Sequence, residues 1–419
     1  MQRFIILLLI GITSPVLNAI ETQKEKSITL EQVIVNVLER NAQLQINDFA
    51  AGAAAARIRQ AQQGTQIAMK LELQNLGGSR GYKGLEQLEG TLSIVKIMER
   101  GSKASKRGDL ALQKSDLLRT DQDRKRLDLL ANAAGQFMHV VVDQHRLRVA
   151  HEKMKLMQGT HEIVKTRVKA GRSHVAEQRR VAIALARAEI EWEHAEHELT
   201  TSRLKLATHW GETDVKFTHA EANLFNLPVL PPFKQLETLL INNPDLSRFA
   251  TTERVAKAQL RLAQSRAQSN LEVAGGIRYF NQPGDAALVL SASIPFGSGA
   301  RAKPHVAEMS YLAQSEPYRY EQQRLTLHSS LYGIYQELLH AQTAYAALSQ
   351  RIIPLAKQVS DDYEQGYRSG RFSLLELRQA QQTLLDTRLE AVIAAANYHR
   401  FRIEIERLTG AALNTGVKP

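Results

Sequence analysis

Two histidines are the clearest candidate for metal chemistry in this chain. His194 and His197 stand three residues apart, so both imidazoles would lie on one face of a helix and could bind a divalent cation. Glu191, Glu193 and Glu196 surround them in the sequence. Imidazoles on an exposed, charge-rich helix are, however, more often plain surface residues. The pattern therefore predicts a solvated helix face and no metal site.

Catalytic motifs are missing from the sequence. It contains no phosphate-binding P-loop, no G-x-S-x-G turn and no H-E-x-x-H pair. It also contains no cysteine, which excludes disulfides, thiolate metal ligands, cysteine nucleophiles and a lipidated N-terminal cysteine. We therefore expect a protein that is not an enzyme, has no catalytic residues and needs no cofactor.

Two glycines stand at the ends of long helical segments. Gly171 is followed by Arg172, and Gly370, which lies 199 residues later, is followed by Arg371. Glycine readily adopts the left-handed conformation that ends a helix, and a nearby arginine can bond the last carbonyls. Each turn therefore predicts a helix C-cap.

The matching turns belong to a duplication that spans most of the chain. The segment Asn41-Ala42-Gln43-Leu44 returns 202 residues later as Asn243-Pro244-Asp245-Leu246, and Trp210-Gly211 returns 199 residues later as Thr409-Gly410. This period is far longer than the repeat of a solenoid, which is about 20–50 residues. The sequence therefore predicts two structural repeats built from the same parts.

Each repeat contains a hairpin of alternating polarity. Ile67, Met69 and Leu71 alternate with polar residues before a glycine-rich turn, and a similar alternation runs through Val273 and Ile277. Alternation with a period of two is the pattern of a β-strand. Each strand is about ten residues long, which is the length that a tilted strand needs to cross a bilayer.

The number of strands limits how they could span a membrane. Two hairpins supply four strands, whereas a small closed barrel needs about eight. Three chains would together supply twelve. An alternative is a pair of soluble hairpins covered by helices. The charged residues Lys70, Glu72, Glu272 and Arg278 share the polar face, which favours a water-filled lumen over that alternative.

Long helices are expected after each hairpin. Residues 102–169 contain no proline and would form a helix of about 100 Å, followed by a second helix over about 174–209. The later repeat has helical segments over about 316–368, with an expected kink at Pro354, and about 374–408. Helices of this length form coiled coils or a helical tube.

The N-terminus and the charge bear on location and partners. Arg3, the apolar run 4–10 and Pro15 predict a signal peptide with cleavage after Ala19. No later stretch is apolar enough for a membrane-spanning helix. The net charge of +11 could suggest nucleic acid, but export makes anionic envelope surfaces the better partner, so no nucleic-acid binding is expected.

These patterns divide the chain into two repeats joined by a linker. The predicted parts are a signal peptide (1–19), a first repeat (20–211) with a hairpin at about 65–98 and a helix pair at about 102–209, a linker (212–232), a second repeat (233–410) with a hairpin at about 270–296 and a helix pair at about 301–408, and a C-terminal tail (411–419).

Taken together, the repeats, hairpins and long helices resemble the TolC-like outer-membrane efflux family over essentially the whole mature chain. The segments Arg167–Ser173 and Gly366–Ser373 are similar to the family's periplasmic tip turns. The segment Ser293–Arg301, with its proline, aromatic residue, glycine and arginine, is similar to the family's strand-to-helix junction.

The resemblance implies a fold, an assembly and a set of partners. The fold would be mostly α with a small membrane β part. Duplicated coiled helical hairpins would form a periplasmic α-barrel, and four strands per chain would enter a trimeric twelve-stranded outer-membrane β-barrel. The homotrimer would be a passive exit duct in outer-membrane lipid, extending into the periplasm. It would work with a periplasmic adaptor protein and an inner-membrane efflux pump.

The resemblance also implies a site at the periplasmic tips and a branch of the family. Glu177 and Glu376 would place six carboxylates around the mouth of a trimer. The junction Met98–Lys103 looks closest to the cobalt-zinc-cadmium resistance branch, although Glu99-Arg100 replaces the apolar-Gly pair common there. The expected adaptor-contact or gate residues are Arg167, Gly171, Arg172, Glu177, Arg368, Gly370, Arg371 and Glu376.

A different class of protein remains open at this point. A periplasmic coiled-coil adaptor or structural protein without membrane strands would also combine export with long helices. An adaptor would have one helical hairpin, whereas this sequence predicts two equivalent pairs.

Overall fold

The computed structural model describes residues 27–410. The predicted signal peptide (1–19) and C-terminal tail (411–419) lie outside the described residues. Residues 27–410 are mostly helical and include one four-stranded sheet. None of the helices in this range is both long enough and apolar enough to cross a membrane.

The hairpins of the two repeats form a single antiparallel sheet. The strands are β1 Ser27–Ile28, β2 Ile67–Gln74, β3 Glu89–Met98, β4 His219–Ala220, β5 Leu271–Phe280 and β6 Asp285–Ser293. The order β2-β3-β5-β6 places the two hairpins side by side, with β2 and β6 as the outer strands. A separate parallel pair joins β1 to β4.

Apolar and polar residues separate onto opposite faces of this sheet. On one face, Leu92 of β3 lies between Leu71 of β2 and Ile277 of β5, and Ile277 lies opposite Leu288 of β6. All four side chains are exposed. The opposite face carries charged and polar residues such as Lys70. A broad apolar face that the chain itself leaves uncovered is the pattern of a sheet that meets lipid.

The helices form one layer that starts at the sheet. They are α1 Leu30–Arg40, α2 Ala42–Gln62, α3 Lys103–Lys169, α4 Val175–Thr208, α5 Phe233–Leu239, α6 Pro244–Arg266, α7 Ser298–Ala347, α8 Ile353–Ser369 and α9 Leu374–Thr409. Near the sheet, α3 and α6 pack together between α2 and α7. Farther away, α3 and α9 pack together between α4 and α8. The outer helices are therefore α2 and α7 at one end and α4 and α8 at the other.

The first long helix of the second repeat contains two prolines. The helix pair was predicted over about 301–408, and α7 begins at Ser298 and continues through Pro304 and Pro317, ahead of the segment predicted at about 316–368. A proline costs one backbone hydrogen bond, and packing along α6 keeps the helix intact despite that loss. A π-helical turn, Leu348–Ile352, separates α7 from α8 directly before Pro354. The continuous helix α3 has no such break.

The largest core lies where helices of both repeats meet. Phe137 of α3, Leu206 of α4 and Ala395 of α9 are fully buried in it. Phe217 and Leu224, from the linker between the repeats, cover the same core. Burial of each large apolar side chain contributes about 1.5–3 kcal/mol, so the linker stabilises the joint between the repeats.

One duplicated asparagine performs the same two tasks in each repeat. The side-chain oxygen of Asn41 accepts a hydrogen bond from the backbone N–H of Gln43 at the start of α2, and its Nδ2 donates to the carbonyl of His209. Asn243 caps α6 through the N–H of Asp245, and its Nδ2 donates to the carbonyl of Leu408 at 2.6 Å. Each asparagine thus joins the first helices of a repeat to the end of its last helix.

We expect Asn243→Ala to destabilise the protein by about 2–3 kcal/mol, because it removes a helix cap and leaves a buried carbonyl unpaired. Asn243 is 1% exposed, whereas Asn41 is partly exposed, so Asn41→Ala should cost less. Thermal unfolding in detergent would measure both variants. Equal melting temperatures for Asn243→Ala and the parent protein would contradict the role of this residue.

Candidate functional site at the helix tips

Both predicted glycine turns close their helices in the same way. At the end of α3, Gly171 has a φ of 69°, and the N–H of Arg172 donates to the carbonyl of Arg167 at 2.8 Å. At the end of α8, Gly370 has a φ of 83°, and the N–H of Arg371 donates to the carbonyl five residues earlier, also at 2.8 Å. Both are Schellman C-caps, so each glycine has a structural role. The two turns lie next to each other.

Arg167 connects the two turns. Its guanidinium donates to the carbonyls of Tyr367 at 2.8 Å and Arg368 at 3.1 Å, which are among the last carbonyls of α8. It also donates to the Ser173 hydroxyl at 3.2 Å and the Arg172 carbonyl at 3.3 Å. A cation bound to the C-terminal carbonyls of a helix interacts favourably with the helix dipole. The side chain therefore joins the first hairpin tip to the second.

Tyr367 completes this connection, which we call the tip latch: Arg167, Ser173, Glu177 and Tyr367. The Tyr367 ring is 2% exposed, and the Arg167 guanidinium lies 4.8 Å from its centroid. The Tyr367 hydroxyl donates to the Glu177 carboxylate at 3.3 Å and lies 3.4 Å from the Ser173 hydroxyl. Burial raises the pKa of Tyr367, so its hydroxyl remains a donor at neutral pH.

The two equivalent glutamates have different partners. Glu376 accepts hydrogen bonds from the backbone N–H and the hydroxyl of Ser373, both at 2.8 Å, which forms a capping box at the start of α9. These bonds lower the pKa of Glu376. Glu177 instead accepts the bond from Tyr367, in the tip latch. The duplication therefore does not make the two carboxylates equivalent in bonding.

The remaining predicted tip residues are more exposed. Arg368 forms an ion pair with Glu364 at 2.7 Å, and Arg371 donates to the Ser369 hydroxyl at 3.1 Å. Arg172 is exposed beside a groove of about 440 Å³. This groove is lined by Gly159, Glu162, Ile163, Thr166, Arg167, Ala170, Arg172 and Arg368.

Sequence reasoning missed the partners that join the two tips. Tyr367 and Ser173 stand within the quoted turn segments, but no sequence pattern pairs them with Arg167. Between the tip latch and the sheet, the buried amide of Gln381 donates to the Thr160 hydroxyl at 3.0 Å and links α9 to α3. These partners lie about 200 residues apart, so only a polar residue on an otherwise apolar helix face could have indicated them.

The histidine pair lies apart from the tip latch. His194 and His197 are exposed on α4. Across residues 27–410, no group of three or more histidine, aspartate or glutamate side chains is arranged to hold a metal ion. The described tip residues therefore form hydrogen bonds and carry arginine charges, and they do not form a set of metal ligands.

Comparison with known proteins relates this chain to outer-membrane efflux proteins. The family model for outer membrane efflux proteins matches residues 236–411. The cobalt-zinc-cadmium resistance protein CzcC of Cupriavidus metallidurans is 23% identical over 313 residues, covering 75% of each chain.

Solved channel structures have the same fold. The structure of CusC matches with a TM-score of 0.77 at 15% identity, covering 91% of this chain and 92% of that one. VceC from Vibrio cholerae matches with a TM-score of 0.75 at 14% identity, covering 92% and 97%. The fold is thus that of TolC-like outer-membrane channels. The chain resembles the outer membrane efflux protein family, whose members are channel and transport proteins.

We expect Arg167→Ala to separate the two tips, because it removes four hydrogen bonds and the contact with the Tyr367 ring. Hydrogen–deuterium exchange should rise about tenfold or more in the segments around 164–177 and 363–376, since about 1.4 kcal/mol of lost stability already gives a factor of ten. Arg371→Ala is the matched control, because that side chain bonds only within its own turn. Unchanged exchange in Arg167→Ala would contradict the latch.

Proposed function

We propose that the chain assembles as a homotrimer in which twelve strands close one outer-membrane β-barrel and the helices close a periplasmic tube. The outer strands β2 and β6 carry the argument. Each has one edge that no described strand pairs. Unpaired backbone groups in lipid cost several kcal/mol each. Pairing β6 of one copy with β2 of the next satisfies both edges, and three copies of a four-stranded sheet supply twelve strands.

The outer helices α2 and α7 support the same head-to-tail arrangement. On α7, one exposed residue recurs every seven positions, on the side of the helix opposite the buried Leu327. On α2, exposed apolar residues follow the alternating three-and-four spacing of a coiled coil, with two large residues followed by two alanines. The exposed apolar rows of α7 and of α2 in the next copy would therefore bury each other. We call these the α7 seam (Tyr311, Tyr318, Leu325, Tyr332 and Leu339) and the α2 seam (Ile46, Phe49, Ala53 and Ala56).

The far end of the layer has matching outer faces. Ile183, Ile190 and Leu204 are exposed on α4 at multiples of seven residues, and Leu355 and Val359 are exposed on α8. These apolar rows would bury each other in a trimer, as in a coiled coil. The proposed interface therefore runs continuously from the strands to the tips.

A photocrosslinker tests this arrangement. With p-benzoylphenylalanine in place of Tyr318, irradiation of cells should yield crosslinked dimers and trimers whose crosslinks map to α2. Thr326 is the control position, because it is exposed on a side face of α7, away from the seam. Crosslinks to another protein, or equal yields from both positions, would contradict the trimer.

Within such a trimer the polar face of the sheet would line a wet, passive duct. Lys70 and Glu72 form an ion pair at 2.8 Å, and Arg278 pairs with Glu89 at 3.4 Å. Charges paired in this way suit a water-filled lumen and are costly in lipid. The proposed duct takes its driving force from an inner-membrane pump and meets a periplasmic adaptor at the exposed tip residues, including Arg172 and Arg371. Shifts of the coiled helices around the tip latch would open the periplasmic end.

Divalent heavy-metal cations are the proposed substrates. The support comes from the similarity to CzcC, whose name assigns it to cobalt, zinc and cadmium resistance. A duct that serves a pump takes its substrate selectivity from that pump, so the duct itself needs no metal ligands. The six carboxylates proposed around the mouth would still favour cations over anions.

Deletion of the gene should sensitise cells to zinc, cobalt and cadmium salts and leave their susceptibility to dyes, bile salts and antibiotics unchanged. The minimum inhibitory concentration of each compound measures this effect. Re-expression of the chain should restore metal tolerance. Sensitisation to organic compounds alone would contradict the metal assignment and leave the duct itself intact as a proposal.

A further inference from the structure

The apolar face of the sheet ends in a lysine at the end nearest the helices. Lys96 of β3 lies between Ile67 of β2 and Val273 of β5, and it shares a face with Leu92 and Ile94. A lysine on a lipid-facing surface is costly at the middle of a bilayer but is tolerated at the interface, where its ammonium reaches the headgroups. The position of Lys96 therefore marks the level of a membrane surface.

More cations surround the junction between strands and helices at this level. Arg100 follows β3, Arg266 ends α6, and Arg301 and Lys303 lie at the start of α7. All four side chains are exposed, as is Lys96. None of the five forms an ion pair with another residue of the described range 27–410. We call this set the foot cations: Lys96, Arg100, Arg266, Arg301 and Lys303.

Hydrogen bonds hold the two junctions at one level. The Lys103 ammonium, at the start of α3, donates to the carbonyl of Gln268 at 2.6 Å, in the connection between α6 and β5. The hydroxyl of Ser269 in that connection donates to the carbonyl of Pro295 and lies 2.9 Å from the hydroxyl of Ser298, at the start of α7. The foot cations therefore form one band and not two separate groups.

The carboxylates near this band either pair with a different cation or lie on the polar face of the sheet. Glu99 pairs with Arg107 at 2.5 Å. Glu272 lies opposite Ile97 and Ser293, on the polar face of the sheet. Neither α3 nor α7 has an acidic residue in its first turn. Within residues 27–410, the positive charge of the foot cations is therefore not neutralised by a carboxylate.

The end of the sheet farther from the helices has a different balance of charges. Its loops carry Arg80 and Lys83, but Glu86 and Asp285 accompany them, so the charges there balance. Beside the foot cations, by contrast, Phe296 is 97% exposed and follows the apolar face of β6. An exposed aromatic side chain next to unpaired cations is the composition of a surface at the boundary between acyl chains and headgroups.

We propose that the foot cations bind anionic phospholipid headgroups of the periplasmic leaflet, with Phe296 among the adjoining acyl chains. The site is continuous with the apolar face of the sheet, and its charge is complementary to phosphate. A phospholipid also supplies both chemistries at once, which a soluble acidic partner would not. This inference rests on the proposed membrane insertion of the strands. Each cation near an anionic membrane surface is expected to strengthen binding about fivefold.

Native mass spectrometry of the full-length protein in detergent tests this proposal. Titration with dioleoylphosphatidylglycerol should give tighter binding than titration with dioleoylphosphatidylcholine, and the difference should shrink as salt rises. The combined variant Lys96→Gln, Arg100→Gln, Arg301→Gln and Lys303→Gln should lose most of the preference, by a factor of a hundred or more if the contributions of about fivefold multiply.

The control variant is Arg80→Gln with Lys83→Gln, which removes two cations from the opposite end of the sheet and should keep the preference. Equal binding of the two lipids by the parent protein, or an equal loss in the control variant, would overturn the proposal. If the protein were not recovered from the outer-membrane fraction at all, the proposed function itself would fail. Normal recovery with no lipid preference would overturn only this inference.

Discussion

The unpaired edges of a four-stranded sheet are the constraint on which the rest of the architecture depends. One chain supplies too few strands to close a barrel, and lipid offers no hydrogen bonds to the outer edges of β2 and β6. The helices next to the sheet lie side by side in the same order as the strands, because each hairpin continues directly into the helix layer. The edges of that layer, α2 and α7, therefore lie below the edges of the sheet, and an assembly that closes one layer closes both.

Duplication supplied two similar halves, but the contacts at the tips differ between them. Arg167 corresponds to Gly366 in the second repeat, where a Cβ atom would lie 2.1 Å from the Phe372 ring. A side chain at that position would have to displace the Phe372 ring, and the connection between tips runs from Arg167 to α8. The π-helical turn before Pro354 likewise occurs in one repeat and not in the continuous helix α3. In the proposed gate, such differences would let one helix pair move relative to the other.

The fold shows where the cations that give the net charge of +11 lie. Many cations lie in pairs within the helix layer, such as Arg261 with Asp109 and Arg248 with Asp121, both at 2.6 Å. Five exposed cations without an ion pair in residues 27–410 lie where the sheet meets the helices. A similar charge spread over a compact domain would suggest nucleic acid, whereas a band of cations below an apolar sheet suits a membrane surface.

The periodic features could be read from the amino-acid sequence: alternating polarity for the strands, a long proline-free stretch for α3, and the glycines Gly171 and Gly370, which adopt a positive φ. These depend on near neighbours, so a single chain displays them. Pairing across about 200 residues was decided only by the tertiary structure. It brought Arg167 to the carbonyls of α8, gave Glu177 and Glu376 different partners and kept α7 helical through Pro317. The physical reason is that hydrogen bonds and packing act over a few ångströms, and no local pattern records which distant residues the fold brings within that distance.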